Sequence, residues 1–501
     1  VKLTQLLSSF DPLEIIGNSE VEISSLCYDS RKVSAGAMFF AWKGEKTDGH
    51  LYIGEAIEKK AQVIVCSEIP PEYTHRSVTF VKVRDPRRVL GKVASEYYGK
   101  PSDRLALVGV TGTNGKTTTS FLIRYLLEKQ GMKSGIIGTV FYDTTQSCVS
   151  SNRTSPEGSD LQYLLYQMVQ AGCGAGVMEV SSHAIDQGRI EGTNFQVGIY
   201  TNLSQDHLDY HRTMEQYQRS KENFVSYIQG GQRNTGAVVI NVDDPRWGLF
   251  AEKLRGKKEM ITVSAEGRKE ATLKASSILC DRFSTIFNLE WAKKIFKARS
   301  SLLGYFNVEN TLLALGATLL LGFPLERSIS LLETFPGVPG RMERYYSKDG
   351  LLAIIDYAHS EDALSKLLHT LRSFQPSRII LVVGCGGDRD RTKRPKMAKV
   401  ASDLADIVLF TSDNPRSESP EQIFDDMRPG VEVSKKVHWI VDREEAIRKA
   451  IIMANSKDIV CVAGKGHESY QEIAGVFYPF NDRLVVEKLL KERSEYGVAL
   501  D

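Results

Sequence analysis

The sequence has no long apolar run. Nowhere do about 18 hydrophobic residues follow one another, roughly the length a membrane-crossing helix needs. Neither sign of charge dominates, with 64 Lys+Arg against 62 Asp+Glu, and no basic block interleaves with aromatics as on a nucleic-acid surface. The seven cysteines (Cys27, Cys66, Cys148, Cys173, Cys280, Cys385 and Cys461) are scattered without a C-x-x-C pair. That argues against a disulfide frame or a structural zinc site and fits a reducing compartment. Val1 to Phe10 lack the apolar core and small-residue cleavage site of an export signal. No internal repeat or low-complexity tract is visible. These absences lead to the expectation of a soluble cytoplasmic protein, without membrane insertion or nucleic-acid partner; the sequence does not give its oligomeric state, and a monomer is favoured.

What is present is more specific. The run Gly112-Thr113-Asn114-Gly115-Lys116-Thr117-Thr118 lies between a strand-like stretch, Leu105 to Val110, and a helix-like stretch, Ser120 to Gln130. Strand, glycine-rich turn and helix in that order make a phosphate-binding loop, and ATP is the expected ligand. Backbone amides surround phosphate oxygens, Lys116 adds charge, and the Thr117 hydroxyl suits a magnesium ion. Val110 stands where the general motif has its first glycine, leaving G-x-x-G-K-T-T.

At 501 residues the chain is long enough for about two to four domains. Residues 1–102 alternate short apolar runs with polar turns, around one helix near Asp85 to Tyr98, and read as a small α/β domain. Residues 103–336 carry strand-like segments at Gly135 to Phe141, Gly176 to Val180, Gly198 to Asn202 and Ala237 to Asn241, which predict a mainly parallel sheet. The turn Pro336-Gly337-Val338-Pro339-Gly340 marks the next boundary. In residues 337–501 five apolar segments each end in a polar or glycine-bearing loop, predicting a Rossmann-like domain. The fold class expected is therefore α/β in three domains, with ligand loops at the carboxyl ends of the strands.

Glu179 ends an apolar strand and precedes Ser181-Ser182-His183, so it reads either as a magnesium ligand beside the phosphate loop or as a cap or ion-pair member. His207 lies in a loop dense in ligand-capable groups, Thr201 to His211, where metal ligation competes with ordinary hydrogen bonding. Met214, Tyr217, Phe224 and Ile228 form a stripe at helical spacing and Lys221 falls on it. An inward lysine has a depressed pKa and can form a carbamate, whereas a lysine at the stripe's edge simply snorkels to water. In the last domain Arg389 and Arg416, with Asp413, Asn414 and Glu468, suit a zwitterion: guanidinium for carboxylate, acid and amide oxygen for ammonium. The same residues can also form surface ion pairs around a proline turn at Pro415.

Together these motifs resemble the Mur ligases, in which Tyr28-Asp29-Ser30-Arg31, Gly112 to Thr118, Glu179 to His183, Thr201 to His211, Asp356-Tyr357-Ala358-His359, Asp413 to Arg416 and Gly464 to Glu468 occur in this order. The resemblance spans essentially the whole chain. It implies ATP-dependent amide formation in peptidoglycan-precursor synthesis, with meso-diaminopimelate joined to the D-glutamate γ-carboxylate of UDP-N-acetylmuramoyl-L-alanyl-D-glutamate through an acyl phosphate. It implies that Ser30, Thr154, Ser155, Ser181, Gln187 and Arg189 hold the UDP substrate. Gly112 to Thr118, Asn307, Arg341 and Asp356 would hold ATP. Thr117, Glu179, His207 and a carbamylated Lys221 would serve Mg2+, with Lys116, Lys221, Glu179 and His207 as the catalytic set. Arg389, Asp413, Asn414, Pro415, Arg416, Gly464 and Glu468 would form the amino-acid pocket. Ser155 replaces the family's usual second threonine, and Ser360-Glu361 its usual Thr-Pro. The same ligase acting on L-lysine, a folylpolyglutamate synthetase-like ligase and an ATP-driven switch are the competing readings.

Overall fold

Apolar runs that alternate between the two faces of a strand, each face buried, belong in the middle of a sheet with helices on either side. Three sheets meet this condition in the computed structural model, which describes residues 1–44, 47–73, 78–229, 236–432 and 436–496. Each sheet carries one apolar cluster on either face.

The first sheet has five strands in the order Glu14–Ile16, Thr79–Lys82, Val63–Cys66, Ala37–Phe40 and Ser25–Cys27, and only the Glu14–Ile16 edge is antiparallel. Helix Pro86–Tyr97 follows it, started by the Asp85 carboxylate, which accepts from Arg88 N, and by proline at the first turn. This helix packs on helix Gly158–Gln170 beside the second sheet.

The second sheet has 11 strands. At its centre Ala106–Thr111 lies between Val197–Tyr200 and Ala175–Glu179, all parallel. In this centre Val108, Val110, Val177 and Ile199 point to one face, and Leu107, Met178 and Tyr200 to the other. Antiparallel strands finish both ends: Leu273–Cys280, Thr285–Trp291 and Lys294–Ser300 on one side, Phe141–Asp143 and Cys148–Ser150 on the other. The single strand expected over Gly135 to Phe141 is two, Ser134–Ile137 and Phe141–Asp143, folded back on each other. The chain leaves the ladder because Thr139 N donates to the Glu179 carboxylate at 2.9 Å.

The third sheet runs Glu343–Tyr346, Leu352–Asp356, Ile459–Ala463, Ile379–Val383, Ile407–Phe410, Val437–Trp439, antiparallel only at the first strand. The Ile459–Ala463 strand inserts between the first two parallel strands in chain order, and the loops after Asp356, Val383, Phe410 and Ala463 gather at their carboxyl ends. A two-stranded hairpin, Tyr470–Ile473 with Val476–Pro479, follows and was not expected from the sequence. Gly340, at φ +66°, joins the central part to this last sheet. A Cβ there would lie 2.2 Å from His467 N, so the linker is pressed against the Gly464 to Glu468 loop.

Candidate active site

The phosphate loop is shaped by a position no other residue can take. Gly112 has φ +143°, and a Cβ on it would lie 1.8 Å from Thr201 Oγ1. Helix Lys116–Lys129 starts directly after Gly115. Lys116 Nζ donates to the carbonyls of Gly112 at 3.0 Å and Thr113 at 2.8 Å. Burial lowers its pKa, opposed by Glu179 and Asp206. Asn114 N donates to Asn202 Oδ1 at 3.0 Å, and Thr118 is buried in the first helical turn.

Glu179 sits beside this loop, as its place at a strand end predicts. Its carboxylate is fully buried and accepts from Thr117 Oγ1 at 3.0 Å as well as from Thr139 N and Oγ1. A threonine hydroxyl against a buried carboxylate at a phosphate loop is the oxygen-rich donor set a magnesium ion takes. His207 does not complete a closed ligand shell. Its backbone is left-handed at φ +54°, and its ring lies edge-on to His183 with centroids 4.8 Å apart. No group of three or more His, Cys, Asp or Glu side chains is arranged to hold a metal among the described residues.

Lys221 is 1 % exposed, so of its two readings the inward one holds. The helical stripe is shorter than expected: the helix is Met214–Glu222, and Phe224 falls in a tighter turn, Asn223–Tyr227. Lys221 Nζ donates to the Gly112 carbonyl at 2.8 Å and lies 4.7 Å from the centroid of the Tyr217 ring. Burial drives its pKa well below the ordinary lysine range, and the Lys116 charge adds to the effect. Burial favours the neutral amine over the ammonium, and the neutral amine is the form that captures carbon dioxide, so the residue fits a carbamate.

Thr154, Ser155, Ser181, Gln187 and Arg189 form one hydrogen-bonded patch beside Glu179. Thr154 Oγ1 meets Thr139 Oγ1 at 3.1 Å, Ser155 Oγ donates to the Glu179 carbonyl at 2.9 Å, and Ser181 N donates to Ser155 Oγ at 3.1 Å. Arg189 donates to the Ser155 carbonyl and to Gln187 Oε1, and its Nε lies 3.3 Å from Glu157 Oε1. Ser30 is separate from this patch. Its hydroxyl donates to Glu55 Oε2 at 2.7 Å within the first sheet's unit.

Asn307 is buried too. It donates to the Leu303 carbonyl at 2.7 Å and accepts from Asn310 Nδ2 at 2.9 Å. From the linker into the last sheet Arg341 does reach the loop, donating to Thr117 Oγ1 at 3.3 Å with its guanidinium stacked on Tyr357. Asp356 accepts from Met342 N and Ala358 N, both at 2.8 Å, and burial raises its pKa. Asp362, not anticipated from the sequence, accepts from Asn114 Nδ2 at 3.0 Å and so also touches the phosphate loop.

One cleft of about 910 Å³ runs beside these parts, between the central and last domains. Its lining includes Thr154 and His207 on the central side and Arg389, Asp413, Asn414, Arg416, Gly464 and Glu468 on the other. Pro415 presses its backbone on Gly387 within the same loop cluster. The expected convergence of three polar loops on one sheet edge is thus met, with two revisions of chemistry. The Asn414 amide oxygen already accepts from Lys465 Nζ at 2.9 Å and from Glu472 N at 3.0 Å, so it has no lone pair left for an ammonium. The Asp413 and Glu468 carboxylates line the same cleft, Glu468 with Lys465 Nζ at 3.0 Å. Arg416 is not a solitary cation either: Glu472 Oε2 accepts from its Nε at 3.1 Å and the Gly387 carbonyl from a terminal nitrogen at 2.7 Å. Lys465 and Glu472 were both missed. Lys465 carried a signal, being the lysine of Gly464 to Glu468, while Glu472 lies on the unexpected hairpin.

Three family models match in order along the chain: "Mur ligase family, catalytic domain" over residues 22–98, "Mur ligase middle domain" over 110–318 and "Mur ligase, glutamate ligase domain" over 340–466. The UDP-N-acetylmuramoyl-L-alanyl-D-glutamate--2,6-diaminopimelate ligase of Cytophaga hutchinsonii is 40% identical over 493 residues, covering 98% of this chain and 99% of that protein. The ligase of the same name from Halalkalibacterium halodurans is 40% identical over 494 residues, with 98% and 99% covered. A solved structure of a ligase of that name superposes with TM-score 0.70 at 33% identity, covering 98% of this chain and 99% of its own. MurF ligase from Thermotoga maritima in complex with ADP shares the fold, with TM-score 0.64, 20% identity, and 94% and 98% covered. Matched along nearly its whole length by these models and relatives, the chain belongs to the Mur ligase family.

Proposed function

We propose that this protein joins meso-diaminopimelate to the D-glutamate γ-carboxylate of UDP-N-acetylmuramoyl-L-alanyl-D-glutamate at the expense of ATP. The observation that carries this reading is one cleft that runs from Thr154, Asp206 and His207 to a paired acid–guanidinium pocket, beside a phosphate loop that Asp362 and Arg341 touch from the last domain. In this reading residues 1–102 bind the uridine nucleotide through Ser30, 103–336 bind ATP, and 337–501 bind the amino acid. In this reading the enzyme works in the cytoplasm.

A carboxylate does not condense with an amine at neutral pH, so it must first gain a leaving group. The acceptor carboxylate attacks the γ-phosphate of ATP in line, giving an acyl phosphate and ADP, while Lys116 and Arg341 stabilise charge on the transferring oxygens. Thr154, Ser155, Ser181, Gln187 and Arg189 hold the acceptor tail beside the phosphate loop. Thr117, Glu179 and His207 would hold Mg2+, which supplies charge neutralisation on the phosphates when bound. Lys221, modified to a carbamate, supplies a further anionic oxygen to that site. Arg389 and Arg416 grip the carboxylates of the incoming amino acid, and Asp413 and Glu468 face its ammonium groups. The amine attacks the acyl carbon, phosphate leaves, and an amide remains. Asn114 with Asp362 and Arg341 with Thr117 keep the last domain against the loop and exclude water from the acyl phosphate.

The test is phosphate release and product mass with ATP, Mg2+ and the UDP-dipeptide, comparing meso-diaminopimelate with L-lysine. Turnover with diaminopimelate alone is expected. Turnover with lysine alone would overturn the amino-acid assignment, and phosphate release independent of any amino acid would overturn the ligase reading.

A further inference from the structure

The guanidinium proposed to choose the amino acid is held by a residue that does not line the cleft. Glu472 makes three contacts with the Asp413 to Arg416 loop. Its carboxylate accepts from Arg416 Nε at 3.1 Å, its carbonyl accepts from Arg416 N at 3.0 Å, and its N–H donates to Asn414 Oδ1 at 3.0 Å. Arg416 and Tyr470 line the cleft, whereas among the described residues Glu472 is not part of that lining.

Arg416 also needs support from its surroundings. Its backbone is left-handed at φ +55°, a conformation unfavourable to a non-glycine residue. The hairpin offsets this cost by bonding both of its main-chain groups, since Ala474 N donates to the Arg416 carbonyl at 2.7 Å. The Gly387 carbonyl takes one terminal nitrogen at 2.7 Å. With Nε held by Glu472 and one terminal nitrogen by Gly387, the guanidinium plane is fixed and its remaining N–H groups are left for a ligand.

We infer that Glu472 is a positioning residue for amino-acid selection: it orients Arg416 toward the cleft and locks the Asn414 amide so that its NH2 faces Glu468. This rests on the proposed ligase reading and deepens it. A long guanidinium side chain free to rotate would lose side-chain entropy on meeting a carboxylate, and Glu472 removes that loss before the substrate arrives. The Arg416–Glu472 pair also changes how lysine is refused. When lysine is bound the arginine keeps Glu472 as its partner, so discrimination comes from the carboxylate contact forgone and not from an uncompensated buried cation.

The experiment is steady-state kinetics on the full-length protein, varying meso-diaminopimelate at saturating ATP and UDP-dipeptide. Glu472→Ala is expected to raise the KM for diaminopimelate roughly tenfold or more while kcat and the KM for ATP stay within about twofold. Glu472→Gln, which keeps an acceptor oxygen and the hairpin's shape, should fall between it and the parent protein. The double variant with Arg416→Ala should be no worse than Arg416→Ala alone, because both changes remove one interaction. An unchanged KM in both Glu472 variants, or losses that simply add in the double variant, would overturn the positioning role while leaving the ligase reading intact. If the parent protein uses lysine and not diaminopimelate, the amino-acid assignment fails and the inference with it, while the ligase reading stands.

Discussion

Lys221 and Lys116, 105 positions apart in the chain, both donate to the carbonyl oxygen of Gly112. The Lys116 charge adds to the burial that lowers the Lys221 pKa, and the shared oxygen belongs to the turn that shapes the phosphate loop. The contact links the central helix that carries Lys221 to the nucleotide site.

Removing the Lys221 amine should therefore abolish turnover without unfolding the protein. Lys221→Ala is expected to lower kcat by roughly 100-fold or more. Added small carboxylates should restore part of it by standing in for a carbamate, and circular dichroism should be unchanged. Failure of any carboxylate to restore activity in a folded variant would count against the carbamate.

Gly112→Ala should be among the most damaging single changes in the loop. The new methyl would fall on Thr201 Oγ1 in a backbone conformation alanine avoids, a cost of about 1–3 kcal/mol in strain alone. Denaturant unfolding should show that loss, and nucleotide affinity should fall with it. A pairing with Thr201→Ala relieves the clash but not the backbone strain, so only partial recovery is expected.

Glu309 gives the stability a pH dependence of its own. Burial and the neighbouring Asp243, Glu266 and Asp362 carboxylates push its pKa from the ordinary 4.5 up to about 7, with Lys366 opposing. The raised value means that the folded state keeps the proton longer than the unfolded chain. Its stabilising contribution is complete below pH 4.5 and is lost as pH rises through about 7. Glu309→Gln should remove that decline, so the variant should gain on the order of 2 kcal/mol over the parent at pH 8 relative to pH 4.5. Parallel denaturation curves at the two pH values measure it.

Glu418 should act in the opposite direction. It accepts from the fully buried Arg394 at 2.7 Å and 2.9 Å and from Asp388 N at 2.6 Å, bracing the loop that carries Arg389. The Arg394 guanidinium holds its pKa at about 2. A depressed carboxylate stabilises the fold above its unfolded value and loses that contribution as pH falls toward 2. Glu418→Gln should cost about 3 kcal/mol at neutral pH and remove this part of the acid sensitivity.

The fold and the phosphate loop were legible because both are written locally. A strand, a glycine turn and a helix occupy adjacent residues, and the continuous apolar run of Ala106–Thr111, buried on both faces, needs no distant partner to be recognised. Glu179 was legible for the same reason, as a charged end to an apolar strand. Lys221 showed only as a lysine on a stripe, since periodicity does not say how deep a stripe lies. The Tyr470–Pro479 hairpin gave no signal because its turn, Ala474-Gly475, lacks the Asn-Gly or Asp-Gly pair that marks tight hairpins. With it went Glu472 and the knowledge that Asn414 and Arg416 are already engaged. Ser30 illustrates a different limit: a motif fixes a residue's surroundings in its own unit and says nothing of its distance from the cleft.

The close approach of Gly340 to the loop at His467 has a mechanical meaning. The linker into the last domain is packed against the loop that bears Glu468, and Arg341 is the next residue along that linker. A side chain at position 340 would pry the two apart, so one glycine keeps the arginine that touches Thr117 in register with the acidic wall of the cleft.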